Sequence, residues 1–306
     1  MSHQTVLLTE AVEALQIKPN GIYVDATFGR GGHSQAILAQ LGVAGRLIVC
    51  DQDMTAIAEA GALLGHDDRV TTIHDNFGHL DQHLKALGLW GQVDGILFDL
   101  GVSSPQLDES ERGFSFLRTG PLDMRMDQTR GMPVSEKLKT LDVKELTRIL
   151  REYGEEKFAN KIAVAILAQD LKTTKELADL IEKTVPKKFQ DSHKHPATRT
   201  FQALRIWVNE ELSVLEAVLQ FFPEMLALNG RAVFISFHSL EDRLVKVRMN
   251  QLCKPPVLPR GLPIRDCETD SPAMQICIKM QKPSDAEIKE NSRARSAVLR
   301  VIQRLT

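Results

Sequence analysis

From Val24 to Ser34 the sequence reads Val24-Asp25-Ala26-Thr27-Phe28-Gly29-Arg30-Gly31-Gly32-His33-Ser34, a glycine-rich passage from an apolar run into a helical pattern. Glycines at such a junction let the backbone turn sharply and come close to a ligand. The dinucleotide spacing G-x-G-x-x-G would bring a pyrophosphate onto the helix start, but His33 and Ser34 stand at its last two positions. The passage reads better as D-x-T-x-G-x-G-G, the turn that methyltransferases fold around the amino-acid end of S-adenosylmethionine. Asp51 ends the run Val49-Cys50-Asp51 about 20 residues later, where an acidic side chain can accept hydrogen bonds from ribose hydroxyls. An aspartate can also merely end a strand, and nicotinamide enzymes share this spacing. The pair therefore points to a nucleoside ligand more firmly than it names one.

Asp99 closes a fourth apolar run and opens Asp99-Leu100-Gly101-Val102-Ser103-Ser104-Pro105. Ligands of open α/β sheets gather at the carboxyl ends of strands, so a carboxylate there faces both cofactor and acceptor. Other amino methyltransferases carry an Asp/Asn/Ser-Pro-Pro-aromatic motif at this point, which makes Asp99, or a nearby backbone carbonyl, the candidate catalytic group. Phe77, after the third run, is a candidate to pack on an adenine ring, although a lone Phe is more often core. Methylation of a pyrimidine carbon ordinarily needs a cysteine nucleophile. No cysteine lies near Asp99 in sequence, which favours a nitrogen or oxygen acceptor.

The basic stretch Lys187, Lys188, His193, Lys194, His195 and Arg199 suits a phosphate-rich partner, against the bland reading of a solvated loop and helix start. His238, in Ser236-Phe237-His238-Ser239-Leu240-Glu241-Asp242-Arg243, either touches substrate or is a satisfied core histidine.

The elements that must position these residues follow from periodicity. Ile22–Val24, Leu47–Val49, Val70–Ile73 and Ile96–Phe98 read as buried strands, with helices over Ser34–Leu41 and Thr55–Leu64 between them. Strands spaced by helices imply a parallel sheet covered on both faces. The alternation then stops for about 130 residues, far more than one crossover needs. Helical stripes fill that interval: Val143 to Tyr153, then Phe158, Ile162 and Ile166, then a helix capped by Thr173 with Glu176. A longer pattern from Phe201 to Phe222, stopped near Pro223, reads as one returning crossover helix into a strand at Ala232–Ile235.

Lys254–Pro263 reads as a loop, and Met274–Met280 with Val298–Ile302 as a closing pair of strands. The expected fold is α/β: a Rossmann-like, doubly wound methyltransferase domain over residues 1–106 and 196–306, with an inserted all-helical domain over 107–195.

Lysine plus arginine (38) nearly balance aspartate plus glutamate (40), so any nucleic-acid role must come from local patches. Cys50, Cys253, Cys267 and Cys277 show no paired spacing, which argues against a zinc site and a disulfide framework, and no metal is expected. No uncharged apolar run reaches the ~18 residues of a membrane span, and no secretory leader pattern opens the chain. The expectation is a cytoplasmic protein without a membrane partner.

Together these segments resemble the RsmH (MraW) family, bacterial methyltransferases that modify the N4 amine of a cytidine in 16S rRNA. The resemblance runs almost end to end. It is carried by Thr5-Val6-Leu7-Leu8, the glycine turn, Asp99 to Asp108, Arg112-Gly113-Phe114-Ser115-Phe116, Pro121 to Met126, His195 to Val208, Ser236 to Arg243 and Arg293-Ala294-Arg295-Ser296.

It implies cofactor contacts at Gly31, Gly32, His33, Asp51, Phe77, Asp99 and Gln106, the last on the resemblance alone. It also implies a decoding-centre cytidine in the small (30S) ribosomal subunit as acceptor, with RNA held by the helical insert. Lys187, Lys188, Lys194, His195, Arg199 and His238 are the RNA-binding candidates, and a homodimer is the candidate assembly. The competing readings are an NAD-dependent oxidoreductase, an amino methyltransferase acting on other RNA, DNA or a small molecule, and a ribosome-assembly factor with a vestigial cofactor site.

Overall fold

The computed structural model describes residues 5–190, 195–254 and 272–306. Seven strands form one sheet: β1 (Ile22–Asp25), β2 (Arg46–Asp51), β3 (Val70–His74), β4 (Val93–Asp99), β5 (Leu226–Ser236), β6 (Met274–Gln281) and β7 (Val298–Arg304). Their order is β3-β2-β1-β4-β5-β7-β6. The first five pair in parallel, and β7 runs antiparallel to both β5 and β6.

Strand side chains alternate between faces, and the apolar residues sort accordingly. Val24, Ile48, Ile96, Phe98 and Phe234 enter one hydrophobic cluster. Tyr23, Leu47, Val49, Leu97, Val233 and Ile235 enter another. Burial on both faces is what near-continuous apolar runs require, so the sheet is doubly wound α/β as expected.

The chain divides into two compact units, one of residues 1–101 with 213–306, the other Val102–Leu212. The second unit therefore begins earlier and ends later than the expected insert of 107–195. Its helices Val143–Gly154, Ala159–Leu167, Thr174–Thr184 and Thr198–Val208 enclose Leu146, Ile149, Leu150, Ile162, Ile166, Leu177, Ile181, Phe201 and Leu204. Thr173 caps the third of these helices through the box with Glu176 that its spacing predicts.

The single crossover helix expected from Phe201 to Phe222 is instead two helices, Thr198–Val208 and Glu211–Met225. Glu210 between them takes a left-handed φ of 53°. The neighbouring Asn209 explains the break. Its Oδ1 accepts from Met126 N at 2.7 Å, and its Nδ2 donates to Met124 O and Arg205 O. Phe201 and Leu204 bury in the helical unit, while Leu215, Val218, Leu219 and Phe222 bury under the sheet.

Pro223 does not stop the second helix, which runs on to Met225. A helix-interior proline leaves the carbonyl four residues earlier without its donor. Here that carbonyl, Leu219 O, accepts from Arg248 Nε at 2.8 Å. The following strand is also longer than expected, starting at Leu226, with Asn229 at a left-handed φ of 64° marking an irregularity before Arg231. Most of the expected loop Lys254–Pro263 lies outside the described residues. Among the described residues no helix is long and apolar enough to cross a membrane.

Candidate functional site

Neighbouring strands β2, β1 and β4 end in Asp51, Asp25 and Asp99. Parallel pairing brings these ends to one edge of the sheet, where the glycine turn leaves β1. The turn is held from within. Asp25 is fully buried, its Oδ2 accepting from Ser34 Oγ at 2.6 Å and its Oδ1 from Thr27 N at 3.2 Å. Asp51 Oδ2 accepts from Gly29 N and its Oδ1 from Asp53 N, each at 2.8 Å. Thr27 Oγ1 accepts from Asp99 N at 2.7 Å, which ties the turn to the end of β4.

A side chain at the apex would be strained or would displace a neighbouring side chain. Gly31 sits at φ +74°, and a Cβ there would come 2.6 Å from the Phe28 ring. A Cβ on Gly32 would collide with the Thr5 side chain.

The carboxylates face weak compensation. Burial raises Asp25 from the ordinary 3.8 to about 6 despite the hydrogen bonds from Ser34 and Thr27. Burial likewise raises Asp51 to about 6, opposed by the Asp53 and Gly29 amides. Asp99 is pushed well above the carboxylate range by burial first, then by the charges of Asp25 and Glu241. Its contact with a basic group is distant, His33 Nδ1 at 3.7 Å from Oδ2. Burial lowers His33 to about 4, so the ring is neutral at neutral pH. Asp99 Oδ1 and His33 Nε2 are buried without a hydrogen-bond partner. Unpaired polar atoms of this kind are costly and mark a place where a ligand supplies the missing partner.

Asp75, just past β3, behaves differently. Burial would raise it, but hydrogen bonds from His83, His79 and the Asn76 amide outweigh that and hold it at about 2. Phe77, two residues on, meets Phe98 edge to face at 5.7 Å and is half-buried. One side of its ring therefore serves the core.

Gln106 belongs to the helical unit. It is buried, and its Oε1 accepts from Ser103 N at 3.0 Å as half of a capping box. His238 caps the helix Ser239–Leu252: its Nδ1 accepts from Glu241 N, and Glu241 Oε2 accepts from Phe237 N at 2.9 Å. His238 Nε2 lies 3.1 Å from Glu241 Oε1 but out of line for a hydrogen bond. His238 thus caps a helix through Nδ1, while its buried Nε2 is left without a hydrogen-bond partner.

Of the basic candidates, Lys187 and Lys188 are exposed on the 3-10 turn Lys187–Phe189. His195 is exposed and stacks on Phe116 at 4.6 Å between centroids. Arg199 is exposed and reaches Glu155 O at 3.5 Å. Lys194 and His193 lie outside the described residues.

Sequence reasoning singled out neither Asp25 nor Thr27 as individual site residues. Both stand inside the D-x-T-x-G-x-G-G pattern, but their contacts to Ser34 and Asp99 depend on the fold. Ser236, buried with an unpartnered hydroxyl at the end of β5, carried no signal of its own.

Comparison with known proteins gives a consistent result. The family model described as the MraW methylase family matches residues 1–305. A protein of Alteromonas mediterranea named ribosomal RNA small subunit methyltransferase H is 50% identical over 308 residues, covering 99% of this chain and 97% of the relative. Solved structures are more distant. A candidate rRNA methylase from Clostridium thermocellum is 13% identical with a TM-score of 0.46, covering 100% of both chains. An rRNA methylase from Streptococcus thermophilus is 11% identical with a TM-score of 0.41, again covering 100% of both.

Proposed function

The chain belongs to the MraW methylase family and is an S-adenosylmethionine-dependent methyltransferase, and from that premise we propose that it methylates the N4 amine of a decoding-centre cytidine in 16S rRNA of the small ribosomal subunit. Small-subunit rRNA as substrate is supported by the name of the relative half identical to it. The observation that carries the reading is the row of weakly compensated carboxylates beside a turn that crowds any Cβ.

These residues fit the cofactor. Gly31, Gly32 and His33 would hold its amino-acid end, Asp51 its ribose, Phe77 would pack on its adenine, and Asp99 would face its reacting end; Gln106 is a candidate contact on the family resemblance alone. When bound, the cofactor supplies a methyl group on a positively charged sulfur, a strong electrophile. Gly31→Ala is then expected to weaken S-adenosylmethionine binding roughly 5- to 30-fold, the cost of forcing a side chain into the left-handed region. Titration calorimetry on the folded variant checks this, and unchanged affinity would remove the turn from the site.

Cytosine N4 is a poor nucleophile because its lone pair is delocalised into the ring. A carboxylate that accepts an N4 hydrogen localises that pair and stabilises the positive charge forming on the nitrogen. We assign this to Asp99 Oδ1, which is buried and unpartnered; burial disfavours its ionised form in the empty site, and the positive charge of the cofactor would favour it. The Thr27 hydroxyl holds the Asp99 backbone amide, and the neutral His33 ring lies 3.7 Å from Asp99 Oδ2. Nitrogen over carbon as acceptor is supported by Cys50, which is buried with its thiol donated to Asp75 O at 3.1 Å and its pKa raised by burial. Reaching an enclosed methyl group requires the base to leave its stack. The helical unit, through Lys187, Lys188, His195 and Arg199, would hold the neighbouring RNA backbone.

The test is transfer of labelled methyl groups into intact small subunits, naked 16S rRNA and DNA, followed by nucleoside analysis. Label is expected on cytidine N4 in the small-subunit RNA. Label in DNA, or on a pyrimidine carbon, would overturn the assignment.

A further inference from the structure

Phe189 is 58% exposed, at the end of the short turn Lys187–Phe189 in the helical unit. The exposure is built in. Gln190 Nε2 donates to Glu182 O at 2.9 Å and to Val185 O at 3.0 Å, stapling the turn to the end of the preceding helix. Phe189 N donates to Pro186 O at 2.9 Å, so the ring is presented by a closed, hydrogen-bonded turn. Its inner edge rests on Phe158 at 5.3 Å between centroids, and Phe158 packs against the core of the unit. Lys188 Nζ lies 4.9 Å from the Phe189 ring centre.

The exposed lysines of the unit are of two kinds, paired and unpaired. Lys139, Lys172 and Lys175 are all exposed and all paired, with Glu136, Asp170 or Asp179. Lys157 and Lys161, which flank Phe158, and Lys187 and Lys188, which precede Phe189, are exposed too. Among the described residues none of these four has an ion-pair partner. An aromatic face amid uncompensated cations is the combination that binds single-stranded nucleic acid: bases stack on the ring, and the cations follow the phosphates. A duplex keeps its bases stacked within itself and offers no free face to such a ring.

We propose that Phe189, backed by Phe158, with Lys188 at its ring and Lys157, Lys161 and Lys187 beside the two aromatics in sequence, is a stacking platform for an unpaired base of the RNA. The inference rests on the rRNA reading above and adds the kind of RNA and the residue that grips it. The platform carries none of the carboxylates or glycines of the transfer site, so it is assigned to an RNA base other than the methylated one.

The experiment compares the full-length protein with Phe189→Ala, Phe189→Trp and the double variant Lys187→Gln/Lys188→Gln. The probe is a short single-stranded RNA carrying a fluorescent base, with the same sequence as a duplex for control. Phe189→Ala is expected to weaken single-strand binding roughly 5- to 150-fold, the range seen for loss of one base–aromatic stack. It should abolish the stacking-induced fluorescence quench and leave the salt slope unchanged. Phe189→Trp should restore both affinity and quench. The lysine variant should instead flatten the slope of log Kd against log salt by about 0.7 for each phosphate it no longer neutralises.

Since Phe189 is exposed, thermal melting of the alanine variant should match the parent. Parental affinity and quench in Phe189→Ala would overturn the platform while leaving the rRNA reading intact. A loss confined to intact small subunits, with bare RNA bound normally, would reassign the ring to a ribosomal protein and equally overturn it. Failure of the parent to bind any RNA would bring down both readings.

Discussion

Asp99→Ala is expected to lose methyl transfer by about 10²- to 10⁴-fold, the range for a group that stabilises developing charge or handles a proton, while remaining at least as thermally stable as the parent. The two effects separate because of how Asp99 is held. Its backbone amide, not its side chain, makes the bond to Thr27. Its carboxylate has one buried oxygen with no partner and a histidine no closer than 3.7 Å to the other. Burying a carboxylate so poorly compensated costs free energy, and exchanging it for an apolar side chain is often neutral or stabilising.

A carboxylate that costs the fold free energy points to a role other than folding. Thermal melting and labelled transfer into small subunits, measured on the same preparation, check the pair of effects. Asp99→Asn keeps the shape and one acceptor oxygen and should retain part of the activity. An alanine variant that melts far below the parent yet transfers normally per folded molecule would make Asp99 a structural residue. Full rescue of a deletion strain by the inactive variant would favour the scaffold reading for the protein in the cell.

What could be read in advance follows from the range of each interaction. The strands ending in Asp25, Asp51 and Asp99 are local facts, since apolar runs punctuated by glycine and aspartate need only their own sequence to be recognised. The Thr173–Glu176 box was legible for the same reason. Gln106 and His238 were legible in kind but went unread: Ser103-x-x-Gln106 and His238-x-x-Glu241 are both capping spacings, and the structure uses both as caps.

The break at Asn209 was not legible, because the apolar stripe continues through it. Only contact with Met124 and Met126 shows why the helix ends there. The continuation through Pro223 was equally hidden, since the group that takes over the freed carbonyl, Arg248, is distant in sequence. The lysines Lys187 and Lys188 beside Phe189 lay inside a stretch already marked as basic. Their lack of ion-pair partners, which sets them apart from Lys139 and Lys172, exists only in three dimensions.

As far as Asp25 and Asp51 decide it, cofactor binding is expected to tighten as pH rises from about 5 to 7, with protons released on binding in that window. The sign follows from Asp25 and Asp51, both raised by burial from the ordinary 3.8 to about 6. A carboxyl raised in the folded state adds stability that is complete below 3.8 and is lost as pH climbs through about 6. The ligand-free protein should therefore melt at lower temperature at pH 7 than at pH 5 as far as these two groups decide it.

S-Adenosylmethionine carries positive charge and hydroxyl donors, and both favour the ionised carboxylates, so binding displaces the protons that the empty turn retains. Below pH about 6 each group must give up a proton, which weakens affinity by up to about ten-fold per pH unit per group. The demethylated product has lost the charge on sulfur, and its affinity should rise less steeply over the same range. Methyl transfer would thus loosen the cofactor by removing a positive charge that favours these carboxylates. Titration calorimetry of both ligands in buffers of different ionisation heat measures the protons directly. Equal, buffer-independent heats for the two ligands across this window would show that Asp25 and Asp51 are already ionised before the cofactor arrives.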